Sequence, residues 1–191
     1  LPYLPQTEMA ASDVFGDYND NILLVANDSG DFYVPAFGVY SLDMLYPGEA
    51  YSIFLNGAND VSFMYPAPGL ARTEIDQESR DYYEACTSEY YDPVRTGLSS
   101  PIIITDIEGY INVGDEIAAY ANGELVGAVK VMDLNKPAVI AVWEGYNNHS
   151  INLPGYMVGD EIELRVWNKE SGQELRVESN LSDNTFCLLY T

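Results

Sequence analysis

Acidic side chains dominate the polar chemistry available to this chain, 30 Asp and Glu against 8 Lys and Arg. Asp115-Glu116 and Asp160-Glu161 recur in matching Gly-Asp-Glu-Ile contexts. Two carboxylates brought together by folding are the machinery of a glycoside hydrolase, one acting as acid and the other as base or nucleophile. Recurrence in matching turns points instead to a structural task, because an Asp after Gly accepts backbone N–H bonds and fixes the start of a hairpin. Gly114, Asp115, Gly159 and Asp160 are therefore read as structural turns. Asp13, Asp17, Asn19 and Asp20 cluster in one polar loop, and Asn27, Asp28 and Asp31 in another. Hard cations take several oxygen ligands from such loops, so the first cluster is a candidate Ca2+ site, weighed against solvated turn acids. Neither loop follows the EF-hand order of acids with Gly and a closing Glu.

Other reactive side chains are few. His149 is the single histidine, followed by Ser150 in a polar Asn-Asn-His-Ser loop, with no nucleophile elbow or carboxylate partner to make it a catalytic base. Zinc is disfavoured by the same shortage of His and Cys ligands. Cys86 and Cys187 stand far apart without metal spacing. In an exported chain they could pair and close a long loop, while two separate buried thiols are the alternative. Asn27-Asp28-Ser29, Asn148-His149-Ser150 and Asn180-Leu181-Ser182 fit the glycosylation sequon by pattern. No catalytic centre emerges, and the chain is expected not to be an enzyme.

The elements that would position these groups are strands. The stretch from Gly109 to Val131 returns in shortened form from Gly155 to Val177. Each copy carries Gly-Tyr, then Val-Gly-Asp-Glu-Ile, then strand, turn and strand. Asn122-Gly123 is the signature of a two-residue type I′ turn, and Lys169-Glu170-Ser171-Gly172 a longer one ending on Gly. Residues 138–143, Ala-Val-Ile-Ala-Val-Trp, suit a strand covered on both faces. In 161–167 the alternation turns Ile162, Leu164 and Val166 inward. With Pro101-Ile102-Ile103-Ile104-Thr105 and the closing Phe186-Cys187-Leu188-Leu189-Tyr190, these runs predict an antiparallel β-sandwich over 99–191.

Residues 1–66 predict a smaller β-rich module with one short helix. Thr7 is its expected N-cap and Gly16 its stop. Strands are expected at 21–26 and 31–35, Pro35 ending the second, and a second hairpin pairs 50–55 with 61–65. Residues 67–98 read as a polar, Tyr-rich connector in which Glu74 to Glu84 has room for three helical turns. The fold class is thus mainly β.

A net charge of −22 repels phosphates and anionic lipid, so nucleic acid is excluded as a partner. No run of apolar residues is long enough for a membrane-spanning helix. The opening Leu-Pro-Tyr-Leu-Pro is neither a Met start nor a charged leader, which is expected of a mature product or a part of a longer protein.

Several of these residues carry a resemblance. Residues 92–97 (DPVRTG), Val113-Gly114-Asp115-Glu116-Ile117-Ala118-Ala119-Tyr120, Leu125-Val126-Gly127-Ala128, Trp143, Gly159-Asp160-Glu161-Ile162 and Val166-Trp167 resemble repeat-type β modules of large secreted cell-surface proteins from Bacteroidota and marine relatives. The first unit, through Ile22-Leu23-Leu24-Val25, Gly30-Asp31-Phe32-Tyr33-Val34-Pro35 and Leu45-Tyr46-Pro47-Gly48-Glu49-Ala50-Tyr51, resembles a companion module. It departs in having Ala50 where that module has Gly, and in lacking its initial Gly-Trp-Asn strand. The resemblance implies an extracellular, cell-surface segment with a structural or adhesive task, whose partners are other protein modules, like subunits or surface glycans. A carbohydrate-binding module of an enzyme, or a phage fibre protein, is the alternative.

Overall fold

The computed structural model describes residues 1–57, 60–67, 77–105, 107, 109, 111–148 and 150–178. His149, Cys187 and the expected strand at 186–190 lie outside these residues. The chain forms two compact units, Leu1–Tyr83 and Glu84–Thr191. The boundary between them falls within the expected connector, 67–98. Its helix, α2, covers Gln77–Ala85.

In the first unit β1 (Met9–Ala10) leads into α1 (Ala11–Phe15), followed by β2 (Ile22–Ala26), β3 (Phe32–Val34), β4 (Val39–Tyr40), β5 (Met44–Leu45) and β6 (Ser52–Leu55). The main sheet has the order β4-β3-β2-β6, all antiparallel, and β1 pairs with β5. Two expectations are corrected. The helix does not start from Thr7, because Met9 and Ala10 are buried and pair with Leu45 and Met44 as a short strand. Gly16 is its C-cap, as expected: the α-helix ends at Phe15, and Gly16, right-handed at φ −56°, leads into a 3-10 turn over Gly16–Tyr18. The second hairpin is also absent, since β6 pairs with β2. Residues 61–65 are not a strand; Phe63 and Tyr65 instead pack as rings against the Tyr3, Phe15 and Tyr18 cluster. Burial of aromatic surface outweighs the local strand preference there. β3 ends at Val34 with Pro35 behind it, as a residue without an N–H requires.

The second unit contains β7 (Ser99–Ile104), β8 (Glu116–Ala121), β9 (Glu124–Lys130), β10 (Ala138–Trp143), β11 (Tyr146–Asn148), β12 (Ile151–Leu153), β13 (Ile162–Asn168) and β14 (Gln173–Arg176). A four-stranded antiparallel sheet, β14-β13-β8-β9, faces the pair β10-β7. The fold is mainly β and sandwich-like. Ile117, Ala119, Val126, Val129, Ile140, Val142, Leu164 and Val166 fill the space between, with Ile162 partly buried beside them. Asn122 at φ 50° and Gly123 at φ 82° make the left-handed pair that a type I′ turn needs. Gly127 has no room for a side chain, since a Cβ there would lie 2.4 Å from the Ala141 carbonyl oxygen. Backbones of β9 and β10 therefore come together as only glycine permits.

Candidate functional site

The two repeated turns share one geometry. At the first, the Asp115 N–H donates to the Asn112 carbonyl at 3.0 Å, and the Asn112 N–H donates to Asp115 Oδ2 at 2.9 Å. At the second, Asp160 N–H donates to the Met157 carbonyl at 3.0 Å, and the Met157 N–H to Asp160 Oδ2 at 2.8 Å. Gly114 and Gly159 hold φ of 96° and 92°, the left-handed position before each Asp that a type II turn demands. The side chain of the fourth residue thus returns the bond its own backbone gives.

Their surroundings differ. Asp115 is 2 % exposed and accepts two further bonds, from the Lys169 N–H at 2.9 Å and Asn168 Nδ2 at 3.0 Å. It ties the turn before β8 to the end of β13. Among the described residues, Asp160 bonds only within its own turn. A buried carboxylate needs such donors to replace water, and Asp115 has three of them.

Glu116 has a role that the sequence does not reveal. It is 3 % exposed on the outer face of the four-stranded sheet. Its carboxylate accepts the Ser88 hydroxyl, the Glu89 N–H at 2.9 Å and the Tyr90 N–H at 3.1 and 3.2 Å. The Tyr91 N–H turns to Ser88 Oγ at 2.9 Å. Successive backbone N–H groups curled around one anion form a nest, here filled by the protein's own side chain. Around this pin the strap 86–91 is fastened along its length. Lys130 N–H donates to the Cys86 carbonyl at 2.7 Å, Lys130 Nζ meets Glu89 at 2.5 Å, and the Tyr90 ring stacks on Trp167 at 3.8 Å. Tyr91 donates to Glu174 at 2.8 Å. In the second copy of the repeat, Glu161 is exposed.

The rest of that face is a charged and aromatic ladder. Arg165 lies 3.9 Å over the Tyr120 ring and pairs with Glu163 and Glu174 at 2.5 and 3.1 Å. Burial pushes the Glu174 carboxyl up, but its bonds from Tyr91, Arg165 and Tyr120 together bring it below the ordinary range. Burial, aided by Glu174, raises the Tyr91 phenol far above its usual value. The Lys130 bond lowers Glu89. Charge on this face is paired, Arg165 with Glu163 and Glu174, and Lys130 with Glu89.

The four candidate Ca2+ ligands lie on adjoining turns of the chain. Asp13 sits in the first turn of α1, Asp17 in the 3-10 turn and Asn19 just after it. Asn19 Oδ1 accepts the Tyr33 hydroxyl at 2.8 Å, and the Asp20 carbonyl accepts Asn56 Nδ2 at 2.6 Å. Among the described residues no three His, Cys, Asp or Glu side chains are gathered as a metal would need. Asn27 and Asp31 form a closed turn, Asn27 Oδ1 accepting the Ser29 and Asp31 N–H groups and Nδ2 donating to Asp31. Cys86 is partly buried against the core of the second unit. Its pairing with Cys187 falls outside the described residues.

Comparison with known proteins adds no identity: no family model, no curated protein and no solved structure matches the chain.

Proposed function

We propose that this chain is a non-catalytic segment of a larger extracellular surface protein, a structural or adhesive β module that works beside other modules or like subunits. The observation that supports it best is the use made of the carboxylates at the repeated motif. Asp115, Glu116 and Asp160, the groups best placed to be an acid/base pair, are each taken up by backbone N–H groups of turns and strap. Scaffolding chemistry of this kind makes a sturdy module. The test is where the native parent protein resides: antibodies raised against this chain should label intact cells, and external protease should remove the signal. Labelling only after lysis would refute the reading.

A second reading, a carbohydrate-binding module, draws on one place. Trp143 is buried, whereas Tyr90 is 51 % exposed with its ring braced against Trp167. A braced aromatic ring is a ready platform for a sugar face. A glycan array run with the chain and with Tyr90→Ala separates the two. Saturable binding that the substitution abolishes favours the sugar reading.

A further inference from the structure

Strand alternation gives the β11–β12 hairpin two unlike faces. Tyr146 pairs with Leu153, Asn147 with Asn152 and Asn148 with Ile151. Residues opposite each other, and two apart on one strand, share a side. Tyr146, Leu153, Ile151 and Asn148 therefore line one face, and Asn147 with Asn152 the other. Asn148 Nδ2 bonds the Tyr146 hydroxyl at 3.1 Å across the first face. That face is apolar and yet open: Tyr146 is 44 % exposed, Ile151 57 % and Leu153 39 %. Among the described residues the two strands pair only with each other, and a lone two-stranded hairpin is marginal in water.

The charge pattern indicates what covers it. Residues 145–159 are the longest stretch of the chain without Asp, Glu, Lys or Arg. They continue past the hairpin through Met157 and Val158, 47 % and 51 % exposed. A basic partner would find nothing here to attract it. A second copy of a chain carrying −22 meets repulsion over most of its surface and least of it here. We propose that the Tyr146, Ile151 and Leu153 face is a self-association surface, its occupant the same face of a second copy related by a two-fold axis. This names a partner surface for the surface-module reading and rests on it.

Sedimentation of the full chain at about 0.1 M and about 1 M NaCl tests it, since the Debye length falls from about 10 to about 3 Å. Wild type should dimerise, more tightly at the higher salt. Ile151→Asp places a charge on the open face and should weaken the dimer at least tenfold. Asn152→Asp adds the same charge on the opposite face and should weaken it by less than about threefold, given residual screened repulsion. Unchanged far-ultraviolet circular dichroism would show that both variants fold, and Ile151→Ser serves if the charged variant does not. A wild-type monomer at both salts, or equal loss from both charge additions, would overturn the surface. Neither result touches the surface-module reading, which fails instead if the native protein is found inside the cell.

Discussion

Asp115 and Asp160 close the same turn but hold different shares of the structure. Removing Asp115 leaves the Asn112 and Lys169 N–H groups and Asn168 Nδ2 without their acceptor, at a site closed to water. Asp115→Ala should cost about 3 kcal/mol or more. Asp160→Ala releases one bond in a turn that water can reach and should cost about 1 kcal/mol. Urea midpoints of the two variants check this; equal losses would mean that the extra bonds of Asp115 carry no weight. The sequence placed both residues in turns, because Gly-Asp before an alternating run is a local signal. It could not rank them, since burial depends on Asn168 and Lys169, which approach only once β13 pairs with β8.

At the scale of elements, the strap was the part least visible beforehand. Residues 86–91 show no periodicity, and a polar Tyr-rich run reads as linker. Their central pin is one glutamate more than twenty residues away, and nothing local marks Glu116 as different from Glu161. Strands, by contrast, were legible where a turn signal, an unbroken apolar run or clean alternation marked them, as in β8 and β9, β10, and β13 respectively. They were misjudged at 61–65, where aromatic packing replaced pairing. Glu116→Ala should unfasten the strap while the sandwich stays folded. Amide exchange at Glu89 and Tyr90 should then quicken about tenfold or more, which corresponds to about 1.4 kcal/mol, and Trp167 emission should change as Tyr90 leaves its face. Glu161→Ala should alter neither. For the same reason a chain beginning at Glu84 should melt higher than one beginning at Ser99, the boundary that the sequence suggested. Equal melting temperatures would show the strap to be a passenger.

Across the whole molecule, ionisation of tyrosine limits stability from the alkaline side. Burial raises the phenols of Tyr3, Tyr33, Tyr51, Tyr65, Tyr91 and Tyr120 above their ordinary value of 10.0. An acid whose value is raised by folding favours its neutral form in the native state. Its contribution is fully present below the unfolded value and is lost as pH climbs from about 10 toward the folded one. Guanidinium midpoints should hold steady to about pH 9 and fall beyond about pH 10, with phenolate absorbance near 295 nm lagging that of the denatured chain. Coincident titration of native and denatured chains would contradict the prediction.

The Gly145 and Gly155 crossing has a consequence for chain length. A Cβ on Gly155 would lie 2.5 Å from the Gly145 nitrogen and from the Trp143 carbonyl oxygen, and one on Gly145 2.9 Å from the Gly155 carbonyl oxygen. The Gly145 N–H meets the Tyr156 carbonyl at 2.8 Å, and the Tyr156 N–H meets the Trp143 carbonyl at 3.0 Å. The two ends of the 146–154 excursion are thereby clamped beside the core, whatever happens between them. Foreign sequence spliced between β11 and β12 adds only to the size of an already closed ring, and each doubling of that ring costs only about 0.6 kcal/mol in closure entropy. A peptide tag placed there should be displayed with little change in melting temperature, whereas Gly155→Ala alone should lower it by far more.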